Sequence, residues 1–127
     1  MKTVLLLAFF GLIPCNSYAQ SFTPEKLNKY TIGGYGVAAG VDIATTQYGL
    51  GARIVVEANP LQRYFTDHGP VVSGIVKSTM HAGIIYSMLR YKDKHPKVVF
   101  VYSLALLAGQ VYVDAHNASV IRNAIQR

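Results

Sequence analysis

Between Tyr35 and Leu61 the chain reads YGVAAGVDIATTQYGLGARIVVEANPL, an almost unbroken apolar stretch with a carboxylate, Asp42, set in its interior. A lone charge at the centre of a bilayer costs roughly 2.5–3.5 kcal/mol even on the lenient insertion scale, so such a group has to be paired, neutralised or hydrated. The polar positions that follow recur with helical spacing: Asp42, Thr46, Gly49 and Arg53 fall on one face. Gly36, Gly40 and Ala44 lie on nearly the opposite face. Small residues four apart let helix backbones approach closely in lipid, and the general glycine enrichment of membrane helices accounts for them equally well. Asn59-Pro60 closes the segment, because proline disfavours helical geometry in the residue before it. This gives a first membrane span over 32–56.

Two further apolar segments follow. Gly69-Pro70 opens a second span over 70–89, in which Ser73, Lys77 and His81 recur at four and form a single stripe. Residues 61–69 read as the loop before it. The basic sequence RYKDKHPK, residues 90–97, reads as a short hairpin, and Pro96 opens a third span over 97–113 interrupted only by Ser103 and Gln110. Tyr30, Tyr35, Tyr64, Tyr86, Tyr91 and Tyr112 sit near span ends, where amphipathic rings prefer the headgroup level.

At the N-terminus, Lys2, the apolar run Val4–Ile13 and Ser17-Tyr18-Ala19 have the order of a secretory signal cleaved before Gln20. The apolar core is too short for an uncleaved span, which needs about twenty residues. The expected organisation is therefore a signal over 1–19, a polar lead-in over 20–31, a three-helix membrane domain over 32–121 and a polar tail over 122–127. Cys15 lies within the signal segment and, as the one cysteine, forms no intrachain disulfide. The proline before it fits poorly with the small residue that a lipoprotein site requires.

A soluble bundle buries one apolar stripe per helix and turns a broad charged face to water. None of these segments has such a face, and water around them would meet very large apolar patches. The expected fold class is thus all-α, a small transmembrane helical bundle of about three spans after a signal-like segment, with the lipid bilayer as its surroundings and a bacterial inner membrane as its location. Orientation stays open. A cleaved signal puts the 90–97 hairpin outside, whereas its Arg90, Lys92, Lys94 and Lys97 would place it in the cytoplasm by the positive-inside rule.

The net charge of +6 invites a nucleic-acid reading, but the cations sit at segment ends with no basic face or aromatic interleaving, so no nucleic-acid partner is expected. An intramembrane polar cluster is expected from Asp42, Thr46, Arg53, Lys77, His81, Gln110 and Asp114. Counting depth at about 1.5 Å per residue places Lys77 near Asp114 and Gln110, with Arg53 close to Asp114. This favours a Lys77–Asp114 pair and a deeper His81–Asp42 contact with Thr46 between them. Asp42 and His81 alone make no catalytic triad, since no nucleophile stands out. His81, His116, Asp42 and Glu57 lack the spacing that places two metal ligands on one helical turn. No metal, cofactor or catalytic residue is expected.

Asp42-x-x-Thr45-Thr46, Glu57-Ala58-Asn59-Pro60-Leu61, Lys77 and Asn117 together resemble the DUF5658-like group of small bacterial membrane proteins of unknown function. The likeness spans residues 41–117; the signal-like N-terminus, the basic hairpin and His81 are not among the features that match it. The resemblance implies a short helical membrane bundle and brings no activity. The reading that results is a non-enzymatic integral membrane protein, structural or partner-binding, with a homo-oligomer or another membrane protein as candidate partner. Its rivals are a small oligomeric transport or holin-like pore protein and an intramembrane hydrolase or metal-dependent enzyme.

Overall fold

The computed structural model describes residues 22–53 and 60–126. The signal segment, Glu57 and Asn59 lie outside the described residues. Four helices make up the described chain: α1 Pro24–Gly51, α2 Pro60–Thr66, α3 Pro70–Tyr91 and α4 Pro96–Ile125. All four begin on a proline, whose fixed φ suits the first helical turn and whose missing N–H is not needed there. At the start of α1 the free backbone N–H groups of the first turn and the Thr23 hydroxyl hold the Glu25 carboxyl below the usual carboxylate range.

The three long helices form an up-down-up bundle with α1 in the middle. Asn28 reaches the Pro96 carbonyl, Thr31 meets Ser103, and Asp42 meets Asn117, so α1 and α4 run parallel. Tyr35 meets His81 and Asp42 meets Lys77, so α3 runs against α1. Packing is most extensive between α1 and α4, less so between α1 and α3, and sparse between α3 and α4. A small apolar core of Ile32, Tyr35, Met88 and Val99, flanked by Ile84, Ile85, Leu106 and Leu107, lies toward the end bearing the 92–95 turn.

Three boundaries differ from those read in the sequence. The first helix ends at Gly51, with Ala52 as its C-cap, where a span to residue 56 was expected. The Gly49-Leu50-Gly51 sequence weakens helix propagation, and Arg53 adopts a left-handed φ of 58° that turns the chain out. The expected loop over 61–69 contains the short helix α2, which ends at Thr66, and Gly69, with φ 104°, caps the start of α3. The helix of the expected third span, α4, continues far past residue 113 to Ile125, taking in most of the expected polar tail. Nothing between Val113 and Ile125 breaks a helix: the stretch holds no glycine or proline, and polar residues do not by themselves end one.

Among the described residues, seven buried polar or charged side chains outnumber six buried apolar ones. The exposed set includes Val71, Ile75 and Tyr86 on α3 and Val98, Val101 and Tyr112 on α4. α4 is the described helix long and apolar enough to cross a membrane, and only 11% of its apolar window is buried within the chain. α1 and α3 are less apolar, because Asp42, Lys77 and their many Gly, Ser and Thr residues dilute the apolar content.

Candidate functional site

Residues 28, 31, 35, 42 and 46 succeed one another at three, four, seven and four, which puts them on one face of α1. That face is buried along its whole length: Asn28, Thr31, Tyr35, Asp42 and Thr46 are each at most 8% exposed. α3 answers with Ser73, Lys77 and His81 at intervals of four, and α4 with Ser103, Gln110, Asp114 and Asn117. The three stripes converge on a single carboxylate.

Lys77 Nζ donates to Asp42 Oδ2 at 3.1 Å and Oδ1 at 3.3 Å, and to Thr46 Oγ1 at 2.9 Å. The Thr46 hydroxyl then donates to Asp42 Oδ1 at 3.4 Å. From α4, Asn117 Nδ2 donates to the same Oδ1 at 3.0 Å. Both charged side chains are 5% exposed. A buried ion pair stands only when its remaining lone pairs and protons find partners, and Thr46 and Asn117 supply them. One carboxylate thus ties all three long helices together.

Oδ1 accepts three donors, while Oδ2 faces Lys77 and, at 3.8 Å, His81 Nε2. That last distance is too long for a hydrogen bond. The other ring nitrogen, Nδ1, lies 2.7 Å from the Tyr35 hydroxyl, and the two rings are tilted at 58°. A tyrosine hydroxyl donating to Nδ1 leaves the imidazole proton on Nε2, directed at the carboxylate. Further along, Thr31 Oγ1 and Ser103 Oγ lie 2.6 Å apart, and each hydroxyl also bonds back to its own helix.

The structure brings together Asp42, Thr46, Lys77 and His81 of the expected cluster, including the His81–Asp42 approach. Three expectations change. Lys77 closes on Asp42, whereas the sequence favoured Asp114; Asp114 instead accepts from Gln110 Nε2 at 3.3 Å, one turn away on α4. The error follows from ending the third span at residue 113, which put Asn117 outside the bundle and Asp114 at its rim. Arg53 is exposed past the end of α1 and takes no part. Of the small residues, Gly36 packs toward Ile85, but Gly40 and Ala44 face outward, and a methyl added at Gly40 would meet nothing within 4 Å. Thr45 bonds back to the Val41 and Asp42 carbonyls.

Tyr35, Asn28, Thr31 and Ser103 were not foreseen as part of the polar network. Stepping back by seven and four from Asp42 along the same face would have found Tyr35 and Thr31. Asn117 entered through the family resemblance alone. Among the described residues, no three His, Cys, Asp or Glu side chains are grouped to hold a metal ion. The arrangement is that of a helical bundle keyed at its middle by a hydrogen-bonded ion pair. A family model described as a domain of unknown function (DUF5658) matches residues 31–121, and the chain belongs to that family. The match takes in every residue around Asp42. No curated protein and no solved structure matches the chain.

Proposed function

We propose that the chain is an integral membrane protein whose α1, α3 and α4 all cross the bilayer. Its role is that of a structural or partner-binding subunit, not an enzyme. The observation that carries this reading is the inverted distribution of polarity. Asp42, Lys77, Thr46, Ser73 and Ser103 point between the helices, while valines, leucines and tyrosines cover the outside of α3 and α4. In water that arrangement would expose apolar area far beyond what soluble monomers carry; in lipid it is the expected one. At about 1.5 Å per residue the 28, 22 and 30 residues of these helices reach about 42, 33 and 45 Å, enough for a hydrocarbon core of about 30 Å.

The site itself supports a structural role. The lone pairs of Asp42 are taken up by Lys77, Thr46 and Asn117, which leaves the carboxylate tied up as an anchor. The outward Gly40 and Ala44 favour a second membrane helix against α1, either from another copy or from another protein. Alkaline carbonate washing of membranes from expressing cells tests the reading: the full chain stays in the pellet and needs detergent for release. Release by carbonate alone would refute it.

A further inference from the structure

We infer that the end of the bundle bearing the 92–95 turn is a binding site for an anionic phospholipid, with one acyl chain in a groove between α3 and α4 and the phosphate on the basic turn. Because α3 and α4 barely touch, a groove of about 210 Å³ opens between them, lined by Met88 and Tyr91 from α3 and by Val98, Val99 and Tyr102 from α4, with His95 at its mouth. Its walls are almost wholly apolar and half open to the surroundings. It is large enough for several methylene groups, and the Ser87 hydroxyl on its α3 wall is already bonded back to the Ile84 carbonyl at 2.8 Å.

The occupant is chosen by what surrounds the mouth. Arg90, Lys92, Lys94 and Lys97 sit within eight residues, with Asp93 as the sole acid among them, itself bonded to Lys92 at 2.9 Å. The start of α1 lies at the same end, since Asn28 donates to the Pro96 carbonyl, and it adds Lys26 and Lys29. Six cations therefore ring the opening of an apolar slot, with Glu25 and Asp93 as the acids beside them. Tyr91 and Tyr102, about half exposed, line the slot with amphipathic rings of the kind that settle at headgroup level. Apolar tail below and phosphate above is the chemistry of an anionic lipid, and clusters of four to eight Lys or Arg beside a membrane helix bind such headgroups. A zwitterionic lipid fits the slot equally well but gains nothing from the cations.

This inference rests on the membrane reading, and the test separates the two. The full chain is reconstituted into vesicles of equimolar phosphatidylglycerol and phosphatidylcholine with identical acyl chains, extracted in mild detergent, and its retained lipids are counted by native mass spectrometry. The wild type retains phosphatidylglycerol over phosphatidylcholine. Replacing Lys92, Lys94 and Lys97 together by glutamine lowers that preference by roughly five-fold per cation. Val98→Trp fills the slot, keeps every cation and lowers retention of phosphatidylglycerol as well; Ser87→Phe fills it from α3 should Val98→Trp lose helix content. Equal retention of both lipids by the wild type overturns the proposal, and so does undiminished retention in the slot-filling variant, which would reduce the effect to surface charge. A chain that enters these mixed vesicles yet shows no preference leaves the membrane reading intact; a chain that does not enter them refutes both.

Discussion

Replacing Lys77 by methionine keeps the aliphatic stem and removes the ammonium. In the native bundle that ammonium donates to both Asp42 oxygens and to Thr46 over 2.9–3.3 Å. Both partners of the pair are 5% exposed, so solvent does little to soften the loss. Breaking a buried pair by removing one partner costs about 3–5 kcal/mol, chiefly because a charge is left buried without its counterion. Asp42 keeps Asn117 and Thr46 as donors, which sets the expected cost near the lower bound, about 3 kcal/mol. The double variant Lys77→Met/Asp42→Leu removes both charges of the pair; the Thr46 hydroxyl turns back to the carbonyl of residue 42, and the half-buried Asn117 amide loses its acceptor at about 1–2 kcal/mol. The double variant is therefore more stable than the single one. Reversible unfolding in mixed micelles of rising SDS fraction, followed by helical circular dichroism, measures both. A single-variant cost below about 1 kcal/mol, or a double variant less stable than Lys77→Met, would refute the argument that this pair is the key of the bundle.

Three other variants probe the network around the pair. Asn117→Ala removes the donor that ties α4 to Asp42, and because Asn117 is half-buried the same assay should read about 1.5 kcal/mol, the low end for a hydrogen bond to a charge. Tyr35→Phe removes the hydroxyl's bond to His81, at about 0.6 kcal/mol, the average measured for hydrogen bonds across helices in a bilayer, and frees the imidazole tautomer, which nitrogen chemical shifts of His81 report. Thr31→Val with Ser103→Ala should be nearly neutral in unfolding, since both hydroxyls of the pair leave together and neither is orphaned.

Much of this architecture follows from spacing alone. Lys77 and His81, four apart in an apolar run, had to share a face, and so did Asp42 and Thr46. Because buried or apolar surroundings make unpartnered ionisable groups costly, both pairs had to turn toward polar groups on other helices. The partner of Lys77 was not legible for a specific reason. Choosing between Asp42 and Asp114 depends on the axial offset of the helices, and that offset depends on where each helix ends. Hydropathy marks the end of an apolar run, not the end of a helix, and in α4 the two differ by about three turns. The same confusion placed Arg53 inside the first span, when Gly49 and Gly51 had already ended it. Likewise Gly40 and Ala44 have the spacing of a packing face, yet α1 turns Ala38 and Ala39 inward instead. Periodicity identifies a face; which of two faces meets a neighbour is settled by the polar groups that must be satisfied.

The central claim is that lipid surrounds the outer faces of α3 and α4 while the ion pair stays between the helices. Nitroxide labels on cysteines placed singly at Ile75, Val101 and Val111, in a Cys15→Ser background in vesicles, test it most directly. All three positions are at least 40% exposed. The account predicts relaxation by oxygen, which concentrates in lipid, and little by a water-soluble nickel chelate. Strong nickel relaxation at these positions would contradict it.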